Sequence, residues 1–328
     1  MSKGIKIWLI LCAIMVLVMI FIGGLTRLSD AGLSIVEWRP VSGIFPPASD
    51  AEWSAEFMKY QTSPEFKLIN NQITIEQFKY IFWLEFGHRL VARITGLMIF
   101  IPLIYFYFLG YISIKRDKKY LLLPTLFMMQ GVMGWLMVKS GLIDNPHVSH
   151  FRLAAHLLLA VLLYHVIISC LHGGWKRSNL AYFVIGLTYL QIIFGAFVAG
   201  LDAGMIYNSF PLMGNLFVPI EVHTQESVIG ALSDEATVQF LHRIIAYVLT
   251  IFVIIRVVVV AKENNIGAFI IFLSLITQLL LGVITLIYVV PIGFALLHQL
   301  GAMILLASLI IFDIDRSGVG SFKIGGEK

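Results

Sequence analysis

Apolar runs of about 20 residues, long enough to cross the hydrocarbon core of a bilayer as helices, recur along the chain. The pattern predicts eight spanning helices: Ile5–Leu25, Ile81–Tyr111, Tyr120–Val138, Leu153–Leu171, Leu180–Leu201, Val238–Ala261, Ile266–Val289 and Ile292–Phe312. Two long polar loops interrupt them, Thr26–Lys79 and Asp202–Thr237. Within the first, "DAEWSAEFMKYQ" carries helical pattern and charge, so short helices are expected to cap the spans there. The first apolar run is followed by "GGLTRLSDAG" rather than a small-residue cleavage site, which favours a retained helix over a signal peptide.

Composition strengthens this picture. Of 328 residues 59% are hydrophobic and 13% charged, about half the charge of a soluble domain. The expected fold is an all-α polytopic membrane protein embedded in the lipid bilayer. Lys3, Lys6, the "KRDKK" run at Lys115–Lys119, Lys176, Arg177, Lys262, Arg316, Lys323 and Lys328 all fall on one side of the predicted spans, whereas Asp202–Thr237 has no Lys or Arg. By the positive-inside rule both termini face the cytoplasm. Topology thus accounts for the net charge of +4, and no nucleic-acid partner is implied. Cys12 and Cys170 lie within or at the ends of spans and read as small buried hydrophobes.

The chain also repeats itself. "GGLTRLSDAGLSIVEWRPVSGIFPP" (Gly23–Pro47) aligns without a gap on "GAFVAGLDAGMIYNSFPLMGNLFVP" (Gly195–Pro219). "EFGHRLVA" (Glu85–Ala92) falls on "QFLHRIIA" (Gln239–Ala246), and "RLAAHLLLA" (Arg152–Ala160) on "FALLHQLGA" (Phe294–Ala302). The expected division is two four-helix halves, 1–175 and 176–328. Because four spans return the chain to its starting side, the repeat is parallel, with its pseudo-two-fold axis along the membrane normal.

Four of the nine histidines, His88, His156, His242 and His298, occupy repeat-equivalent places near the starts of the second, fourth, sixth and eighth spans. An ionisable side chain inside a span is costly and marks a functional site by default. Two imidazoles facing each other across an apolar bundle suit axial ligation of haem iron. Zinc asks for three or four close ligands, and copper for cysteine or clustered histidine. Each half thus offers one pocket, His88 with His156 and His242 with His298. Arg89, Arg93, Arg152 and Arg243 lie beside these histidines and suit haem propionates, to which guanidinium binds bidentately. His165 falls on the opposite helical face from His156, and His147, His150, His172 and His223 read as solvated or interfacial.

The halves differ at one informative letter. Glu85 aligns with Gln239, each three residues before its histidine. Glutamate can exchange a proton and glutamine cannot, which points to proton-coupled chemistry in the N-terminal half and a resident electron-transfer haem in the other. The plain structural alternative is that Glu85 pairs with Arg89 at i+4.

Taken together, "GGLTRLSDAGLSIVEWRPVSGIFPP", "EFGHRLVARITGL", "SHFRLAAHLLLA", "GAFVAGLDAGMIYNSFPLM", "QFLHRIIAY" and "LHQLGAMILLA" resemble the haem A synthase family over nearly the whole chain. The resemblance implies oxidation of a methyl group of haem O to a formyl group through successive hydroxylations and loss of water, giving haem A for terminal oxidase assembly. It implies His88 and His156 at the substrate haem, with Glu85 as acid or base, and a b-type haem cofactor held by His242 and His298. Implied partners are a haem O synthase and an electron-transfer system such as a ferredoxin; a homo-oligomer is left open. The chain departs from family members that carry a cysteine pair in the first loop, since Thr26–Lys79 has no cysteine. That puts any thiol-dependent step in doubt. The lack of a transit peptide favours a bacterial plasma (inner) membrane. Two other classes stay open, a transmembrane di-haem b-type electron carrier and a haem chaperone or transporter. A carrier should place haems near both faces, whereas all four histidines here fall on the outer side, and a transporter would not need Glu85 in only one half.

Overall fold

The computed structural model describes residues 1–38, 42–113, 115–143, 148–172 and 177–312. Among them there are helices and turns but no strand, and eight helices are long and apolar enough to cross a membrane. The spanning helices are α1 (Lys3–Leu28), α4 (Ile75–Phe108), α5 (Leu122–Gly141), α6 (His150–His172), α7 (Asn179–Gly200), α9 (Glu235–Ala261), α10 (Asn265–Ile287) and α11 (Ile292–Ile311). They match the eight expected from the apolar runs, with ends shifted by up to six residues. The largest shift is at α4, which begins at Ile75 because Thr74 and Gln77 close a capping box there. Such a cap satisfies orphan backbone donors that hydropathy alone cannot place.

The first long loop folds back on the helix ends through α2 (Asp50–Gln61) and α3 (Pro64–Leu68), as the "DAEWSAEFMKYQ" pattern predicts. Ser49 and Ser63 cap them, and Pro64 takes the first turn of α3. Trp53, Tyr60, Phe78, Phe82 and Phe86 bury a shared aromatic cluster, which pins α2 to the projecting start of α4. The second long loop is mostly short turns, with one helix, α8 (Val228–Ala231).

The spanning helices pack as two rings. In one, α1 meets α4, α4 meets α5, α5 meets α6 and α6 returns to α1. In the other, α7 meets α9, α9 meets α10, α10 meets α11 and α11 returns to α7. Between rings, α6 touches α7, α1 touches α11 and α6 touches α11. Burial follows from this arrangement. Half of the most apolar stretch of α6 and 44% of that of α11 are buried, against 6% in α5 and 11% in α10, whose outer faces are left to lipid.

Repeat-equivalent residues also adopt equivalent backbone. Asp30 and Asp202, in "SDAG" and "LDAG", both sit in the left-handed region, at φ 46° and 52°. A short polar side chain tolerates that conformation better than a branched one. Arg27 then joins the halves, with Nη1 on Asp30 Oδ1 and Nη2 on Asp202 Oδ1, both at 3.0 Å. Of the basic residues used above for topology, Lys176, Arg316, Lys323 and Lys328 lie outside the described residues, as does His147.

Candidate functional site

His88 lies on α4, His156 on α6, His242 on α9 and His298 on α11, each about two to four turns from the end of its helix nearest the long loops. All four are half-buried. His88 and His156 lie within electrostatic range of each other, as do His242 and His298. The structure therefore brings together the pairs expected from the repeat, one pair in each ring.

A glycine on a neighbouring helix faces every one of these imidazoles. A Cβ built on Gly23 would lie 3.4 Å from His88 Nε2, and one on Gly134 3.1 Å from His156 Cε1. On Gly195 it would lie 3.3 Å from His242 Cε1, and on Gly282 2.8 Å from His298 Cε1. At Gly134, Gly195 and Gly282 a Cβ would crowd the ring, most of all at Gly282, whereas at Gly23 it would only touch it. Gly282→Ala should consequently displace His298 and empty the C-terminal pocket, whereas Gly293→Ala on the same ring, facing open space, should not. The haem-to-protein ratio of the two purified variants checks this.

Glutamines missed by the sequence reading bond two of the four histidines and stand near a third. The Gln130 amide donates to His156 Nε2 at 3.1 Å. That of Gln191 lies 3.1 Å from both ring nitrogens of His242, while Gln278, one turn before the glycine opposite His298, turns its amide oxygen toward Gly301 on α11. The signal was present as Gln-x-x-x-Gly at Gln130–Gly134, Gln191–Gly195 and Gln278–Gly282. A polar residue one turn from a glycine is too common a pattern to stand out until the facing ring is known.

Glu85 and its neighbours hold the first long loop. The buried Glu85 carboxylate accepts from Ser34 Oγ (2.7 Å) and the Ile35 backbone N–H (2.8 Å), and pairs with Arg89 Nη2 at 2.6 Å. Arg89 also donates to the Ile35 and Glu37 carbonyls and lies over the Trp38 ring. The second ring repeats this grip. Gln239 donates to the Ala203 and Tyr207 carbonyls, while Arg243 donates to Tyr207, Ser209 and Leu212 carbonyls and to Gln239 Oε1. The pairing of Glu85 with Arg89 is thus present, and Arg89 and Arg243, read above as propionate partners, donate to two and three loop carbonyls respectively. The reason is local: each arginine emerges beneath a loop whose carbonyls have no helical partner. Arg152 is exposed and Arg93 half-buried.

Other histidines divide differently from expectation. His223 and His172 are exposed as expected, but His150 opens α6 and is buried against Phe197 and the backbone of Gly200. The glycine lets α7 approach so closely that His150 loses its water. His165 shares a 2.8 Å hydrogen bond with the Tyr189 hydroxyl, joining α6 to α7 away from both pockets.

One more acid lies near Glu85. Glu65 of α3 is buried, with Oε2 lacking a hydrogen-bond partner, and desolvation pushes its pKa up to about 7 despite the Tyr60 hydroxyl. Its folded-state pKa lies above the unfolded one, so it stabilises the docked loop at low pH. That contribution fades as pH rises through about 7. Limited proteolysis within 50–68 should therefore accelerate between pH 5 and pH 8 in roughly the range of that titration, and Glu65→Gln should flatten the profile.

The donor set fits haem. Among the described residues no group of three or more His, Cys, Asp or Glu side chains is placed to hold a metal ion. Two facing imidazoles suffice where a macrocycle supplies four nitrogens. His156 Nδ1, His298 Nδ1 and the Oε1 atoms of Gln130, Gln191 and Gln278 are buried without hydrogen-bond partners. Each orphan costs about 1–3 kcal/mol, a penalty that a pocket built only for packing would not carry five times.

Comparison with known proteins agrees. The chain is 47% identical over 327 residues to a heme A synthase of Rickettsia bellii (strain OSU 85-389), covering 94% of this chain and 97% of the relative. It is 46% identical over 320 residues to one of Rickettsia felis, covering 92% and 95%. It is 44% identical over 340 residues to one of Orientia tsutsugamushi (strain Ikeda), covering 94% and 95%. Residues 6–310 match a single protein family, so that the repeat, both long loops and all four histidines lie within the match, and the chain belongs to the cytochrome oxidase assembly protein family.

Proposed function

We propose that the protein is a haem A synthase, a multi-pass membrane oxidoreductase that converts the methyl group of haem O to the formyl group of haem A for terminal oxidase assembly. The observation that carries this reading is the full-length similarity to heme A synthases, supported by a pair of half-buried imidazoles on helices of each ring. The haem carrier and chaperone readings are not favoured by any feature of the pockets.

In this reading residues 1–175 hold the substrate haem O between His88 and His156, and residues 176–328 hold a haem b between His242 and His298. Bound haem b would supply one-electron redox chemistry. The chain's own residues do the rest. His88 and His156 fix the substrate's plane, and apolar helix faces exclude water from it. Glu85, one turn before His88, holds or releases a proton at its carboxylate, the only acid on that helix face near the ligand. Its bonds to Ser34, Ile35 and Arg89 fix its direction. In the other ring, Gln239 holds its loop by the same kind of grip but has no proton to exchange. Methyl-to-formyl oxidation is a four-electron change. With water as the oxygen source it releases four electrons and four protons, and with dioxygen each hydroxylation takes up two of each. In either case an electron-transfer partner such as a ferredoxin system is required. Upstream, a haem O synthase supplies the substrate. The protein belongs in a bacterial inner membrane with both termini cytoplasmic, on the charge pattern of its loops.

The deciding experiment supplies haem O to cells expressing the protein and follows extracted haems by mass spectrometry. Hydroxymethyl and formyl haem are expected; neither appearing in the wild type would end the enzyme reading.

A further inference from the structure

The aligned repeat differs at a second position besides Glu85. Gly23 matches Gly195, so the residue one turn earlier is Met19 in the first ring and Gln191 in the second. On α5 and α10 the glutamine is present in both, as Gln130 and Gln278. Three of the four histidines are therefore faced by Gln-x-x-x-Gly, and His88 alone is faced by Met-x-x-x-Gly.

The two residues of the element do different jobs. The glycine admits the ring: a Cβ there would meet an imidazole atom between 2.8 and 3.4 Å away at all four positions. The glutamine fixes the ring's rotation, because its amide N–H already reaches a ring nitrogen of His156 and of His242. Its carbonyl oxygen is the more telling atom. In Gln130, Gln191 and Gln278 it is buried and without a hydrogen-bond partner. An imidazole that binds iron through one nitrogen carries a proton on the other and needs an acceptor for it, and such acceptors orient the ligand and strengthen it. The ring nitrogens and the amide oxygens left over are complementary: His156 Nδ1 and His298 Nδ1 are also orphaned. A half-turn of the amide presents oxygen where nitrogen now lies. A thioether at position 19 is a weak acceptor and offers no such bond.

We propose, resting on the haem assignment above, that Gln-x-x-x-Gly is a ligand seat that locks an axial histidine. The Met19 substitution leaves His88 as the one exchangeable ligand. The second ring, with a Gln-x-x-x-Gly element opposite each histidine, retains its haem. The first ring, with one seated and one unseated, binds a haem that must leave once oxidised. Met19 and Glu85 thus mark the same ligand, one governing release and the other proton transfer.

The test uses the full-length protein in detergent, loaded with haemin, and follows haem transfer to excess apomyoglobin together with the low-spin electron paramagnetic resonance signal. Gln191→Met should speed release from the second ring by roughly tenfold or more and shift the g-values. In a His242→Ala background, where the first ring alone is loaded, adding Met19→Gln should slow release by a similar factor. A packing role for these side chains would not produce that gain. If Gln191→Met leaves both release and g-values unchanged, or if Met19→Gln fails to slow release, the seat is overturned. His242→Ala retaining two haems would instead overturn the haem assignment itself, so the two failures are distinguishable.

Discussion

Replacing Glu85 by glutamine is expected to leave haem binding intact while lowering conversion of haem O by about a hundredfold or more, the scale of a lost general acid or base. The substitution is well matched to the site. At the equivalent place Gln239 already grips the second loop, accepting from Arg243 and donating to loop carbonyls. A glutamine at 85 keeps the acceptor for Arg89, and the Ser34 hydroxyl can turn to accept from the new amide. Only the Ile35 N–H loses its acceptor, at about 1–3 kcal/mol. The variant should therefore fold, bind haem and stall. Mass spectrometry of extracted haems checks it: unreacted haem O or the alcohol should accumulate at unchanged pigment content. Normal turnover would show that Glu85 serves only to anchor the loop. Arg89→Ala provides the contrast, since it strands a buried carboxylate and should cost about 3–5 kcal/mol, visible as lost expression or a lowered unfolding temperature.

The second large effect is expected at His242. His242→Ala removes one of the two ligands proposed for the resident haem, leaving His298 without a partner across the bundle. The absorbance of the bis-histidine haem in the second ring should disappear, and oxidation in the first ring should fall with it for want of a redox partner. Haem O binding by His88 and His156 should persist. Pyridine haemochrome analysis of the purified variant reads the first outcome, and haem O titration the second. A full complement of haem b in His242→Ala would place the cofactor elsewhere.

Much of this was legible along the chain because it rests on local rules. Eight apolar runs gave the spanning helices, since in a bilayer hydrophobic length decides the matter almost alone. The ungapped match of Gly23–Pro47 to Gly195–Pro219 exposed the repeat, and its symmetry singled out His88, His156, His242 and His298 from five other histidines. Glu85 against Gln239 was visible as a letter. Its physical meaning was not: the sequence could not say whether Glu85 would face its loop, its arginine or the pocket, and in the structure it holds the first two at once. His150 went the other way, from a loop residue in the pattern to a buried one, because contact with Gly200 on a different helix set its environment.

What the sequence determined by itself was therefore the number of spanning helices, their order, the internal repeat and the candidate histidines. Each follows from hydrophobic length or from direct comparison of one half with the other. Only tertiary structure decided which atoms meet. It put a glycine against every imidazole, a glutamine amide on two of them, and two arginines on loop carbonyls. Those choices depend on helix rotation and on contacts between segments far apart in the chain. A one-turn motif such as Gln-x-x-x-Gly has no meaning until packing shows which ring it faces.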